Sequence, residues 1–215
     1  MSKTPSTSPQ GAFWDQRYAE PGFAFGEKPN VFLMSQAAHY HRGMKALVPG
    51  DGEGRNGVFL AECGLRVTTV DASRIGVHKA TSVAGERGVT LDAHCADLET
   101  WVWPEGQFDI VVSIFLHFPE ALRPRMHARM LQALKPGGVL LLEGYTPRQL
   151  LHRANGSVGG PHDVTMLFEP DDLRTDFAGA DIVSLEEVEV DLAEGPRHRG
   201  RSSVARLFAR LPEHP

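Results

Sequence analysis

Short apolar runs alternate with helical patterns from about residue 45 to residue 145, and that alternation leaves few folds open. The runs "KALVP", "RVTTVD", "VTLDAHCAD", "FDIVVSIFLHF" and "VLLLEGY" are rich in β-branched and other apolar residues and predict strands. Between them "GRNGVFLAECG", "SRIGVHKATSVAGERG" and "PRMHARMLQAL" predict helices. Ser73 suits the cap of the second, which closes near Gly88, and Pro124 falls in the first turn of the third. "KPGG" predicts a turn into the last run. Strands this apolar need cover on both faces, which predicts a doubly wound, parallel α/β sheet. The last third reads differently. "DIVSLEEVEVDL" and "SSVARLFARL" alternate apolar with polar and are joined by "AEGPRHRGR", which predicts an antiparallel pair closing one sheet edge.

The 215 residues, 41% hydrophobic, are enough for one core. We expect one domain over 11–215, preceded by a flexible tail over 1–10, where Ser, Thr and Pro dominate. Within it, 11–43 carries aromatics among Gly and Pro, "FWDQRYAEPGFAFGEKPNVFL", and "VFLMSQAAHYHRGM" predicts a helix ending near Gly43. A net charge of -5 and the lack of a basic run argue against nucleic acid as a partner. No run approaches the roughly 18 apolar residues of a membrane span, and the polar start lacks an apolar signal region. The expectation is a cytoplasmic monomer or homodimer. Cys63 and Cys95 show no CxxC spacing, and His39 and His41, two apart on a helix, point in different directions, so no metal site is expected.

Gly50, Gly52 and Gly54 fall where the first strand meets the first helix, the place where such sheets bind ligands. A dinucleotide loop would read GxGxxG, but Arg55 takes the third glycine's place. Asp51 and Glu53 would oppose a pyrophosphate by about 1 kcal/mol or more per close pair. A phosphate-free, cationic ligand removes that conflict. S-adenosylmethionine is one: it has a sulfonium, an ammonium and a carboxylate that backbone N–H groups or Arg55 could receive. Asp71 follows at the interval of about 20 residues at which an acid accepts from ribose hydroxyls. Asp97 could accept from the adenine amine, with Leu98 flanking the ring. Plainer roles compete: a helix cap for Asp71, though Ser73 fills it, and an ordinary turn for Asp97.

"VPGDGEGRNGVFLAECG", "VTTVDAS", "CADLE", "FDIVVSIFLHFP" and "LKPGGVLLLEGY" together resemble class I S-adenosylmethionine-dependent methyltransferases. The likeness is greatest to the branch that holds tellurite-resistance and thiopurine methyltransferases, and it spans roughly residues 13 to 211. It implies a Rossmann-like, seven-stranded, mostly parallel sheet with an antiparallel last strand. It also implies methyl transfer to a small-molecule nucleophile such as a thiol or chalcogen anion, with S-adenosylhomocysteine as the product. The cofactor positions carried over are Gly50, Asp51, Gly52, Arg55 and Asn56 in the loop, and Asp71, Ala72, Asp97, Leu98 and Ile114 after later strands. Trp14, Arg17 and Phe25 match a lid, for which the competing roles are a plain sheet-edge plug for Trp14 and Phe25 and a surface cation for Arg17. On the acceptor side stand Phe115, Tyr145, Glu194 and His198, with His117 in "FLHFP" as a base or a structural histidine. Two positions depart from the family: Val48 stands where many members carry an acid, and Asp51 where many carry cysteine. Val48 motivates an alternative, a non-catalytic protein binding the same cofactor as a sensor or partner module. A nicotinamide-dependent oxidoreductase has only the general fold in its favour.

Overall fold

A computed structural model describes residues 8–213. Five parallel strands, β1 (Lys45–Pro49), β2 (Arg66–Asp71), β3 (Asp92–Cys95), β4 (Phe108–Ile114) and β5 (Leu134–Tyr145), meet β6 (Asp181–Ala193) and β7 (Arg199–Arg210) in one sheet. The order is β3-β2-β1-β4-β5-β7-β6, with β7 antiparallel to both neighbours. The Rossmann-like sheet with an antiparallel last strand is therefore present. Strand order reverses between β1 and β4, which opens a crevice at their carboxyl ends.

Successive side chains of a strand point to opposite faces, so a strand covered on both sides must be apolar throughout. In β4, Val111 joins Leu47, Met126, Leu140 and Leu207 in one core. Its neighbours Ile110 and Val112 join Val48, Leu60, Leu141 and Phe208 in the other. Each such fully buried aliphatic side chain contributes about 1.5–3 kcal/mol. At the sheet edge β6 keeps its alternation, and Val183 there is exposed.

Helices α1 (Pro9–Tyr18), α2 (Val31–Ser35), α3 (Arg55–Glu62), α4 (Arg74–Glu86), α5 (Arg123–Ala133), α6 (Gln149–Ala154) and α7 (Pro170–Asp176) complete the chain. The Ser73 cap is as expected, its hydroxyl accepting from the Gly76 N–H at 3.0 Å. Four features differ from the expectations. α1 begins inside the stretch read as a tail, because the Ser8 side chain accepts from the Gly11 N–H and Pro9 suits a first helical turn; residues 1–7 lie outside the described residues. The helix expected to run to Gly43 stops at Ser35, followed by one 3-10 turn, Ala37–His39. "KPGG" lies within β5 and is absorbed as an irregularity: Phe108 pairs with Leu134, but Ile110 pairs with Val139. Finally, residues 146–180, for which no element was expected, hold α6, a 3-10 turn (Val164–Met166) and α7.

α1 is fixed by a polar contact. Asp15 accepts from Ser73 Oγ at 2.6 Å and from the Ile75 N–H at 3.0 Å, so α1 supplies an acid to the positive end of α4. This lays α1 and the loop after it across the crevice.

Candidate active site

A cavity of about 550 Å³ occupies the crevice, beneath α1. Gly50 (φ 67°) and Gly52 (φ 58°) turn the chain away from β1 in a conformation that favours glycine. A side chain at Gly50 would meet Leu116 Cδ1 at 2.7 Å, and one at Gly52 would strike the Tyr18 hydroxyl. Gly54, also left-handed, has no side chain to cap α3. Asp51 does so instead, both carboxylate oxygens accepting from the Gly57 N–H at 3.2 Å. The helix end that would receive a pyrophosphate is thus already filled by an acid of the same loop. Burial pushes the Asp51 carboxyl up to about 8, nearby Asp71 adding to the effect and the Gly57 N–H opposing it.

Glu53 lines the cavity, but both of its carboxylate oxygens are taken by protein groups. Its Oε2 accepts from the Ala24 N–H at 2.7 Å and its Oε1 pairs with Lys79 at 2.8 Å, while Lys79 also donates to the Gly22 carbonyl. Glu53 therefore ties down the loop after α1. On the other side the β6–β7 turn grips the same loop: the Arg197 N–H donates to the Ala24 carbonyl and its guanidinium pairs with Glu20 at 2.7 Å.

Asp71 accepts from the Gly52 N–H at 2.9 Å and from the Ser73 N–H at 2.8 Å, and burial pushes it up to about 6. Each oxygen keeps a second lone pair for a hydroxyl. Ala72, Leu98 and Ile114 line the wall beside it. Asp97 is off the cavity wall: it accepts from the Glu99 N–H at 2.9 Å, the ordinary turn role. Across from these, Trp14 stacks on Tyr18 at 5.6 Å and lies 6.2 Å from Phe25. Arg17 sits over Phe13 and Trp14, its guanidinium held below its usual range by burial and by nearby Arg197.

The far end is walled by aromatic rings. Phe115 holds φ 53°, a strained conformation for a bulky residue costing about 1–3 kcal/mol. Its ring lies 4.7 Å from Tyr145 and 4.4 Å from His198, and Phe25 closes on His198 at 4.5 Å. Between α3 and the turn, Arg55 pairs with buried Glu194 at 2.8 Å, and it lines the cavity with its charge already matched. Asn56 also lines the cavity, its side chain accepting from the Asn30 N–H. Although burial raises it, His198 and Arg55 hold the Glu194 carboxyl below its usual range. Glu194 itself stands behind the wall.

His117 lines the cavity, but both ring nitrogens are engaged. Nδ1 donates to the Met166 carbonyl at 2.8 Å and Nε2 accepts from the Tyr145 N–H at 3.1 Å. Burial pushes it down to about 4, so it is neutral and its one lone pair is taken. Of the two readings of His117, these contacts fit the structural one, with the ring pinning β5 to the segment before α7.

Sequence reasoning missed Tyr18, the segment from Arg153 to Met166 that forms one side of the cavity, and the charges beneath it. Among the last, Glu143 pairs with Arg206 at 2.6 Å, and the Asn30 amide bridges Glu143 (2.6 Å) and Glu194 (3.1 Å). A lone acid inside "VLLLEGY" was the available signal; its partners lie 63 and 113 positions away.

Residues 46–138, from β1 to the early part of β5, match the family described as a methyltransferase domain. Over that stretch the chain is similar to methyltransferase domains. Among curated proteins, it is 26% identical over 135 residues to 2-heptyl-1-hydroxyquinolin-4(1H)-one methyltransferase of Mycobacteroides abscessus, covering 61% of this chain and 59% of that protein. It is 28% identical over 166 residues to probable thiol methyltransferase 2 of Arabidopsis thaliana, covering 75% and 68%. N-methyltransferase NodS from Bradyrhizobium japonicum WM9, solved with S-adenosyl-L-homocysteine, superposes with a TM-score of 0.70 at 15% identity, covering 96% of this chain and all of that one. That likeness is one of fold, and it spans the chain beyond residues 46–138. Among the described residues no helix is long and apolar enough to cross a membrane, and no three potential ligand side chains converge on a metal position.

Proposed function

We propose that the chain transfers a methyl group from S-adenosylmethionine to a small-molecule nucleophile. The observation that carries this reading is the loop at Gly50–Gly54: its helix end is filled by Asp51, whose buried carboxyl borders the cavity and favours a cationic neighbour. In this reading Asp71 holds the ribose, Ala72, Leu98 and Ile114 flank the adenine, and Asp51 faces the positive end. Trp14 and Phe25 cover the site and exclude water, which strengthens every charge inside. When bound, the cofactor supplies a methyl group already activated on a sulfonium. The protein's share is orientation, which can be worth about 7–11 kcal/mol of barrier.

Two curated relatives are named for a hydroxyquinolone and for thiols, so acceptors of those two kinds lead the test. Calorimetry should show S-adenosylhomocysteine binding and NAD failing to bind; the reverse would overturn the reading. Incubation with labelled-methyl cofactor and a mixed panel of thiols, hydroxy-heteroarenes and amines, followed by mass analysis, identifies the acceptor. Cofactor binding without transfer to any of them would favour the sensor alternative.

A further inference from the structure

Two buried polar atoms without a hydrogen-bond partner lie at the aromatic end of the cavity, Tyr145 Oη and His198 Nδ1, and Glu194 Oε2, paired with Arg55 at 2.8 Å, stands beside the second. Buried side-chain atoms are rarely left so, and two together mark a place where a further group would fit. His198 Nδ1 lies 3.9 Å from Glu194 Oε2. The opposite nitrogen, Nε2, is left for the cavity that His198 lines. Phe25, Phe115 and Tyr145 hold the ring from three directions at 4.5, 4.4 and 5.5 Å. Glu194 is in turn fixed by Arg55 and by the Asn30 amide. A histidine backed by an oriented carboxylate, its far nitrogen open to a closed site, has the arrangement of a general base.

Resting on the methyl-transfer reading, we propose that His198, positioned by Glu194, takes a proton from the acceptor. The acceptor is then a thiol or hydroxyl that still carries its proton at neutral pH, hydrogen-bonded by Tyr145 Oη. The acceptor's proton passes to His198 Nε2, and the freed electron pair bonds to the methyl carbon. As that bond forms, the carbon–sulfur bond breaks with its electrons left on sulfur. The sulfonium's positive charge is lost and the imidazolium carries one until water removes the proton. The groups facing His198 are Glu194 from its own turn, Arg55 from α3, Tyr145 from β5 and His117 after β4. Burial, then Arg55, hold His198 below its usual value against the pull of Glu194, which keeps it neutral and able to accept.

The test uses the full chain and a series of thiophenols and phenols whose acidities straddle the assay pH. With His198→Gln, and with Glu194→Gln as the second variant, kcat should fall about a hundredfold for acceptors still protonated. For acceptors already ionised it should fall less than about threefold, a small effect against the hundredfold a base supplies. In parallel, the NMR titration of His198 in the S-adenosylhomocysteine complex should move to lower pH in Glu194→Gln, which removes the facing negative charge. Equal losses for protonated and ionised acceptors, or none, would overturn the assignment of the base. A wild-type protein that binds S-adenosylhomocysteine yet methylates nothing in the series overturns the methyl-transfer reading, and the base falls with it.

Discussion

The two ends of one cavity are built on different principles. At the end proposed for the cofactor, Gly50–Gly54, Asp71–Ser73 and Ile114 lie at strand ends, and the acids Asp51 and Asp71 are held by backbone N–H groups a few positions to about twenty positions away. At the end proposed for the acceptor, the loop after α1, Phe115, Tyr145, the Arg153–Met166 segment and the β6–β7 turn come from across the chain. Side chains join them there: Arg206 to Glu143, Asn30 to Glu143 and Glu194, Glu194 to Arg55. The first end follows from where the strands stop. The second exists only while long-range charge pairs hold, so substitutions should separate the two.

The largest effect is expected at Asn30. Asn30→Leu leaves two buried carboxylates short of a donor and should destabilise the protein by about 3 kcal/mol in urea unfolding. A loss under about 1 kcal/mol, the worth of one ordinary hydrogen bond, would mean that the acceptor end does not depend on that bridge. Next, Asp71→Ala should weaken S-adenosylhomocysteine binding by more than about tenfold, or about 1.4 kcal/mol, by calorimetry. Unchanged affinity would remove Asp71 from the cofactor end.

Asp51 makes a pH prediction. Its folded-state value, about 8, lies above the unfolded 3.8, so between them the folded state binds the extra proton. Its contribution to stability is present in full below about pH 4 and is lost as pH rises toward 8. Asp51→Asn should therefore flatten the decline of ligand-free stability from pH 5 to pH 8 by about 1 kcal/mol or more. An unchanged slope would place the proton elsewhere. His117→Gln should cost about 1 kcal/mol of stability and leave the shape of the kcat/KM pH profile unaltered. A lost limb in that profile would restore His117 as a base. Least of all, Asp97→Ala should change cofactor affinity by no more than about twofold, as at a surface turn.

The same division governs what could be read without a structure. β1 to β4, the edge pair, the Ser73 cap and the glycine turn each depend on residues near one another in the chain, and periodicity and turn chemistry report such neighbours directly. The family resemblance added the seven-strand count and the position of β7. The helix at Pro9 was passed over because Ser and Pro suit a cap and a loose tail equally, and only docking on α4 through Asp15 decides between them. Residues 146–180 show little periodicity, and the short helices there are held by packing on the sheet rather than by their own pattern.

The chain by itself therefore determined a doubly wound sheet, the crevice at its switch point, and the glycines and acids that line the cofactor end, because those rest on local backbone geometry and on alternation along a strand. Tertiary structure alone decided what the polar side chains do once assembled. It turned Glu53 toward a lid, filled both nitrogens of His117, and left His198 facing the cavity with Glu194 behind it. A side chain's role is set by which partner takes its hydrogen bonds, and those partners come from distant stretches of chain.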